Sequence, residues 1–234
     1  MSANVLKWIA MISMLIDHIG AVFGPWMNPE VYTLLRALGR TAFPLYAFML
    51  VEGAVHTKNA PKYLMRLLLF AAISEIPFDL AFYQQGESFL YWGHQNIFVT
   101  LAIGLMTITA LEKLRKTMGT PAMQTLLFAL ISLLACLVVE FCHGDYGSLG
   151  IALILLLYFV RGYRWGAPVA LLAWLAYYDW STGDVMELYG AAAAVFIGLY
   201  NGRKGESRLP KWFFYGFYPA HILVLLLLRN TRMG

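Results

Sequence analysis

Apolar residues dominate long stretches of this chain, and short polar segments separate them. The stretches lie near residues 5 to 24, 31 to 54, 62 to 84, 95 to 112, 122 to 142, 148 to 160, 165 to 179, 184 to 200 and 212 to 229. Most of them have the length that a helix needs to cross a bilayer, about 17 to 25 residues. The two stretches between residues 148 and 179 are shorter and could be re-entrant. The pattern predicts an all-α, polytopic membrane bundle of about nine spans, folded as one domain over residues 1–234.

The composition supports this fold class. Hydrophobic residues make up 60% of the 234 residues, charged residues 13%, and the mean hydropathy is +0.64. A soluble domain with this composition would leave most of its apolar surface exposed to water. Asp17 and His18 interrupt the first apolar stretch and no small-residue cleavage pattern follows it, so we expect a retained span instead of a cleaved signal peptide.

Basic residues fall in alternate loops. These loops contain Lys58 and Lys62; Lys113, Arg115 and Lys116; Arg161 and Arg164; and Arg203, Lys204, Arg208 and Lys211. The loops between them lack Lys and Arg, and two of them carry Asp145, Asp179 and Asp184. Because basic loops stay in the cytoplasm, we predict a cytoplasmic N-terminus and an outer C-terminus, which Arg229 and Arg232 do not fit. The formal charge of +4 is dispersed among loops, so nucleic acid is not an expected partner.

Ionisable residues also lie inside the predicted spans, and four spans carry one at a similar depth. Each costs roughly 2.5 to 3.5 kcal/mol on insertion scales, so a chain that keeps several is expected to use them. At about 1.5 Å per residue from the nearest predicted edge, His18, Arg40, Glu75 and His221 lie roughly 13 to 17 Å into the membrane. They predict a polar layer near the midplane. This layer is either a functional site or a set of buried ion pairs that stabilise the bundle, such as Asp17 with an arginine.

Further polar residues and prolines accompany this layer. Arg36 is close to it and is, with Arg40, a possible partner of Asp17, whereas Asn96 lies nearer the outer face. Pro44, Pro77 and Pro219 each remove a backbone donor and free a carbonyl that only protein or a water-filled cavity can satisfy. We therefore predict kinked helices around a midplane cavity. The two cysteines, six residues apart on one predicted helix, indicate neither a disulfide nor a metal site.

The first span has a polar stripe. Lys7, Met11, Met14 and His18 follow steps of four, three and four residues and so share one face of a helix. His18 would lie roughly 16 Å beyond the cationic edge at Lys7. A groove along this face would join a positive mouth to a buried base.

Short motifs extend the picture over almost the whole chain. They are KWIAMISMLIDHIG (7–20), GRTAFPL (39–45), EGAVHTK (52–58), YLMRLLLFAAISEIPF (63–78), QNIFVTLAIG (95–104), DYGSLG (145–150), YNGRKG (200–205) and FYGFYPAH (214–221). Together they resemble the TraX family of membrane proteins. That resemblance implies a bacterial inner-membrane protein that N-acetylates a conjugative pilin subunit. Lys7, ten intervening residues and His18 also resemble the signature of wider transmembrane acyltransferases, in which the histidine is catalytic.

Acetyl-CoA, the co-substrate that this chemistry requires, carries phosphates that cannot enter hydrocarbon. Its head must stay at the cytoplasmic mouth while the slim pantetheine arm reaches inward. The candidates for binding the phosphates are Lys7, Lys58, Lys62, Arg66, Arg161, Arg203 and Lys204. The loop 201–205 is favoured because its glycines let the backbone approach a phosphate. For each residue singly, the alternative is that it only sets topology.

His18 is the expected catalytic residue, either as a neutral base or as the carrier of an acetyl group. Neighbours on a helix diverge by about 100°, so Glu75 or Glu187 is a better partner for its ring than Asp17. Asp17 is then left to pair with an arginine. Candidates for donors to the oxyanion are Asn96, Arg40 and Tyr218, and His221 is a reserve base.

The acceptor is expected to be a free amine reached from the outer side. The resemblance suggests a pilin-like N-terminus, and an amine on a sugar, an amino acid or an envelope polymer fits equally well. A secondary transporter with the same buried polar layer is the main alternative, although no inverted repeat is visible. An assembly protein in an envelope complex is a third, but it would need no buried histidine.

Overall fold

The computed structural model describes residues 1–83, 90–117, 120–207 and 209–233, with side chains up to residue 231. The helices are α1 (Ala3–Phe23), α2 (Pro29–Gly39), α3 (Ala42–His56), α4 (Ala60–Phe82), α5 (Ile97–Thr117), α6 (Pro121–Phe141), α7 (Gly147–Val160), α8 (Gly166–Thr182), α9 (Ala192–Gly198) and α10 (Lys211–Met233), with 3-10 segments at Gly24–Trp26 and Val185–Ala191. The all-α prediction is confirmed for these residues. Arg208, the side chain of Arg232 and the predicted span end at residue 84 lie outside them.

Five helical stretches in the described part of the chain are long and apolar enough to cross a membrane. They are Ala3–Trp26, Pro29–His56, Ile97–Thr117, Pro121–Phe141 and Lys211–Thr231. The apolar helices Gly147–Val160 and Val185–Gly198 are shorter. Membrane spans are thus supported, and the crossing of all nine predicted stretches stays a prediction.

The predicted span 31 to 54 lies within the helical stretch Pro29–His56, which is long and apolar enough to cross a membrane. The structure breaks it into α2 and α3, with Arg40 and Thr41 between them. Pro44 is the reason, because its ring would clash with the carbonyl of Arg40 four residues earlier if one helix ran through. Pro44 lies in the first turn of α3, just after the interruption, where backbone N–H groups have no intrahelical partner. Pro77 and Pro219 do lie inside helices, as expected.

The helix ends that carry the basic loops come together. At this basic end, the backbone N–H of Ala3 donates to the carbonyl of Arg203 at 2.9 Å, which fastens the N-terminus to the loop before α10. Gly198 packs against Trp165, which adds the loop between α7 and α8 to the same end. The Arg161 guanidinium lies 2.7 Å from Glu112 near the end of α5.

The opposite end carries the acidic loops and the C-terminus. The backbone of Gln95 bonds to that of His143 and Asp145 at 2.8 and 3.1 Å, joining the segment before α5 to the loop after α6. Arg229, near the end of α10, donates to the carbonyls of Ala81 and Leu80 at 2.9 and 3.0 Å. Arg229 therefore caps the unpaired carbonyls at the end of α4. This capping role explains why a basic residue lies at the end that was predicted to face outward.

The helix α1 packs against α2, α3 and α10. The helix α6 is peripheral, since of its residues Ala135 and Val139 are the buried ones and it packs on α5 and α7. Its exposed surface is apolar and includes Leu126, Leu130 and Leu134. An exposed leucine face of this kind is expected where a helix meets lipid.

Candidate functional site

A cavity of about 700 Å³ opens among the loops of the basic end, and we call it the basic cavity. Its cationic lining residues are Lys7, Lys58, Lys62, Arg66, Lys204 and Lys211. All but Lys211 are predicted anion-binding residues. Met11 and Met14 line the same cavity beyond Lys7, as the stripe on the first span suggests.

These cations have little counter-charge. None of them forms an ion pair with a carboxylate within the part of the chain that the structure describes. Lys7 instead lies over the ring of Phe214 at 5.3 Å, and the Arg66 guanidinium lies between the rings of Tyr63 and Tyr215 at 5.5 and 5.7 Å. Arg66 Nε is buried and lacks a hydrogen-bond partner in the described residues. Glu52 is the carboxylate among the lining residues, so six cations face one acid. This excess of positive charge indicates an anion-binding site.

Arg161 and Arg203 are not among the lining residues of the basic cavity. Arg161 donates to Glu112 and to the carbonyl of Tyr158 at 2.7 and 2.8 Å, so its charge is used within the bundle. Arg203 is exposed in the loop 201–205. There Gly205 has φ +72° and packs against Ser2, where an added Cβ would meet Oγ at 2.3 Å, so this glycine serves the docking of the N-terminus.

A second cavity of about 410 Å³ lies toward the opposite end, and we call it the acidic cavity. Its charged and histidine lining residues are Asp17, His18, Arg36, Arg40, His94, Asp145, Asp184 and Glu187. Aromatic rings of Phe43, Phe78, Phe82, Tyr83, Tyr146 and Tyr178 complete its walls.

The two cavities share a wall. Met14, Tyr46, Ile97 and Tyr218 line both of them. The basic cavity therefore approaches the acidic cavity from the other end of the bundle, and these side chains stand between them. His18 lines the acidic cavity beside this wall, with its ring centroid 5.7 Å from that of Tyr218.

The ring of His18 is held by another histidine. Its Nδ1 lies 2.7 Å from Nε2 of His221, and Nδ1 of His221 lies 2.6 Å from the carbonyl oxygen of Phe217. The expectation that Glu75 or Glu187 orients this ring is therefore wrong. The proline-containing helix α10 brings His221 to α1, a contact that sequence spacing does not reveal.

Asp17 lies at the centre of an ion-pair network. Its two carboxylate oxygens each lie 2.6 Å from a guanidinium, one of Arg36 and one of Arg40. Arg40 also donates to Glu187 at 2.8 Å, and the Tyr146 hydroxyl donates to the same carboxylate at 2.9 Å. The predicted pairing of Asp17 with an arginine is confirmed.

Glu75 and Asn96 lie apart from both cavities. The Asn96 amide donates to Glu75 and, at 2.8 Å, to the carbonyl of Ala71, while its oxygen accepts from the backbone N–H of Phe98 at 3.1 Å. These bonds join α4 to the start of α5 and occupy the amide. Neither residue contacts His18, so the positions of both favour a structural role over the catalytic one that we predicted.

The mouth of the acidic cavity holds a histidine–aspartate pair outside the membrane-spanning helices. His94 Nε2 lies 3.3 Å from Asp145, and the imidazole stacks on the ring of Tyr83 at 4.9 Å between centroids. Because Asp145 accepts a hydrogen bond from it, the pKa of His94 is raised above its ordinary value.

Sequence reasoning missed three lining residues. Tyr46 carries a hydroxyl group into a predicted apolar span, and that placement was a usable signal, whereas Tyr146 lies in a loop between two predicted spans. Tyr146 also has a positive φ of 61°, which a tyrosine rarely adopts. Lys211, immediately before the last predicted span, was interpreted only as a topology residue.

Comparison with known proteins identifies the family. The family model described as "TraX protein" matches residues 2–229. The chain belongs to the TraX family. This TraX-family chain is also 32% identical over 246 residues to "Probable fimbrial assembly protein FimC, serogroup H1" of Dichelobacter nodosus, covering 96% of this chain and 94% of that protein. No solved structure matches it.

Proposed function

We propose that this protein is a membrane acetyltransferase that passes an acetyl group from acetyl-CoA, bound at the basic end, to an amine that enters from the acidic end. One observation carries the proposal: two cavities from opposite ends meet at the wall of Met14, Tyr46, Ile97 and Tyr218, next to His18. A reaction between a donor on one side and an acceptor on the other requires such a meeting point. Membership of the TraX family supports the same chemistry.

The basic cavity suits the donor. Its volume of about 700 Å³ lies in the range of small-molecule sites, and its six cations lack carboxylate partners among the described residues. The phosphates of acetyl-CoA would supply that missing charge at the mouth. The pantetheine arm would then extend past Lys7 and Met11 to bring the thioester to the wall.

The acidic cavity suits an amine. Asp145 and Asp184 attract a positively charged acceptor to its mouth, and the rings of Tyr83, Tyr146 and Tyr178 can contact an ammonium or an apolar chain. The D. nodosus relative is named for fimbrial assembly, which favours a pilin-like N-terminus as the acceptor. An amine of another envelope compound would bind by the same interactions.

The acceptor ammonium first releases one proton to the solvent at the mouth of the cavity. At the wall, the resulting neutral amine attacks the carbonyl carbon of the thioester. The new N–C bond forms, His18 takes a proton from the amine nitrogen, and the C–S bond breaks. The thiolate of CoA then receives that proton, so the products are the acetamide and CoA thiol. Tyr218 is the best-placed candidate for the oxyanion donor, since it lines both cavities and contacts His18.

The function is tested with the purified full-length chain in detergent, labelled acetyl-CoA and a panel of amines. His18→Ala should lower the transfer rate by at least about 10²-fold, because a positioned base contributes about that much. His143→Asn is the matched control, since His143 lies outside both cavities and Asn tolerates its positive φ of 52°. Undiminished transfer by His18→Ala would refute the role of His18, and solute flux without transfer would favour a transporter.

The same assay tests the donor site. Arg66→Gln should raise the KM for acetyl-CoA about tenfold with little change in kcat, because one charge-assisted hydrogen bond to phosphate is worth about 1.5 kcal/mol. Arg161→Gln is the control, because this arginine pairs with Glu112 away from the cavity. Equal effects of the two substitutions would contradict phosphate binding in the basic cavity.

We further propose that the protein lies in the bacterial cytoplasmic membrane with the basic end in the cytoplasm. A single cysteine introduced near Lys116 should react with an impermeant reagent only from the cytoplasmic side. Reaction from the outer side would reverse the orientation and with it the route of acetyl-CoA.

A further inference from the structure

The contact between His18 and His221 has a geometry that fixes where the hydrogen atoms lie. The carbonyl oxygen of Phe217 can only accept a hydrogen bond, so Nδ1 of His221, 2.6 Å away, carries a hydrogen. A neutral His221 then has a lone pair on Nε2. The nitrogen 2.7 Å from this lone pair is Nδ1 of His18, which must therefore be the donor.

The pair makes this bond edge to edge. The ring centroids are 4.9 Å apart and the planes differ by 12°, while the two nitrogens are only 2.7 Å apart. Two rings stacked face to face would not bring single atoms so much closer than their centroids. The bond therefore lies close to the ring planes, along the directions of the N–H and the lone pair.

The surroundings favour a neutral pair. His221 is 6% exposed, and the rings of Phe82, Phe217 and Tyr218 surround the two imidazoles. Among the described residues, no carboxylate lies within hydrogen-bond distance of either histidine, because Asp17 and Glu187 bond to arginines. An additional proton on the pair would be a buried charge without a counter-ion.

We infer that His221 is a positioning residue that holds His18 in the tautomer with hydrogen on Nδ1, so that Nε2 of His18 is the basic atom at the acidic cavity. This inference rests on the proposed function for its catalytic consequence. In an imidazole the hydrogen bond at one nitrogen decides the protonation of the other. The lone pair or hydrogen on Nε2 of an imidazole points in a different direction from that on Nδ1, so Nε2 of His18 points away from His221. The backbone of α10 thereby determines, through His221, which atom of His18 accepts the proton.

Two substitutions of His221 that differ by one methylene group distinguish the positioning of His18 from proton transfer by His221 itself. In His221→Gln, the side-chain oxygen can take the place of Nε2 and accept from His18, but it cannot pass on a proton. In His221→Asn, the shorter amide reaches only the place of Nδ1, so it keeps a donor to Phe217 and loses the acceptor for His18. Both variants are polar and of similar size, and their free energies of unfolding are measured alongside their activity.

We expect His221→Gln to keep kcat within about tenfold of the unmodified chain and His221→Asn to lose about 10²-fold or more, with the KM values for both substrates changed less than about twofold. Equal loss of kcat in both variants would overturn positioning and would mean that His221 itself transfers a proton. Raised KM values at unchanged kcat would likewise overturn the inference.

A spectroscopic measurement decides the tautomer without any acetyl transfer. In the protein labelled with ¹⁵N-histidine, with the His18 signals assigned by comparison with His18→Ala, we expect hydrogen on Nδ1 of His18. His221→Asn should shift hydrogen to Nε2, and His221→Gln should not. Hydrogen on Nε2 of His18 in the unmodified chain would overturn the inference. If the spectrum is as expected but the chain transfers no acetyl group, the proposed function fails and the positioning of His18 stands.

Discussion

Removing the Arg40 guanidinium should destabilise the protein strongly, because this side chain joins two buried acids. It lies 2.6 Å from Asp17 and 2.8 Å from Glu187. The side chains of Arg40 and Glu187 are 14% and 1% exposed, so water replaces the lost partner poorly. In Arg40→Met, Asp17 keeps Arg36, but Glu187 keeps only the Tyr146 hydroxyl at 2.9 Å. We expect the free energy of unfolding to fall by about 3 to 5 kcal/mol, the usual cost of leaving a buried charge without its ion-pair partner.

The double substitution Arg40→Met with Glu187→Leu tests the reason for that loss. It removes the stranded carboxylate together with its partner, so most of the stability should return, with a coupling energy of about 2 kcal/mol or more. Unfolding is followed by reversible denaturation in mixed micelles. The matched control is Arg161→Met, whose side chain and partner Glu112 are 22% and 23% exposed and whose loss should cost at most about 1 kcal/mol. An Arg40→Met variant no less stable than this control, or a double variant as unstable as the sum of the singles, would refute the reasoning.

Three further outcomes are expected. Gly39→Ala should lower the free energy of unfolding by about 1 to 3 kcal/mol, since its Cβ would lie 2.3 Å from the Asp17 carboxylate; an unchanged value would contradict the close packing of α2 on α1. Arg229→Met should cost about 2 to 3 kcal/mol in the same unfolding assay, because two carbonyls at the end of α4 lose a charged donor, and a change below about 0.5 kcal/mol would disprove the cap. The folded-state pKa of His94 is raised, so the stability from its bond to Asp145 is fully present below the ordinary histidine pKa of about 6.5 and is lost as the pH rises through the raised value. Melting curves should therefore show a larger loss for Asp145→Asn at about pH 6 than at about pH 8.5, and an equal loss at both would be the contrary result.

The sequence predicts the membrane helices well because their signal is local. Each stretch of about 20 apolar residues must be helical in lipid, whatever its neighbours are, since its backbone groups can bond only within the segment. The break at Arg40 also has a local cause in Pro44, four residues later, where we predicted a kink. The basic residues of alternate loops indicated a common end by the same kind of local evidence.

Which side chains of different helices contact one another could be learned only from the tertiary structure. Depth along the helices brought His18, Arg40, Glu75 and His221 into one layer, but depth does not specify which way a helix is rotated. The rotation of α10 turns His221 toward His18, and that of α4 turns Glu75 toward Asn96 and away from both cavities. A carboxylate was the expected partner of His18 because acids commonly orient imidazoles, and sequence gave no means of ranking a second histidine above it.

By itself, the sequence determined that the chain is a bundle of membrane helices, predicted that Asp17 pairs with arginine and singled out five of the six cations that line the basic cavity. Those features follow from composition, spacing and the cost of isolated charge in lipid, which act wherever the residues occur. Only the tertiary structure decided that two cavities share the wall at Tyr46 and Tyr218 and that His18 is bonded to His221. Such contacts depend on the relative rotation and approach of helices that are far apart in sequence, and these are set by the packing of the whole bundle.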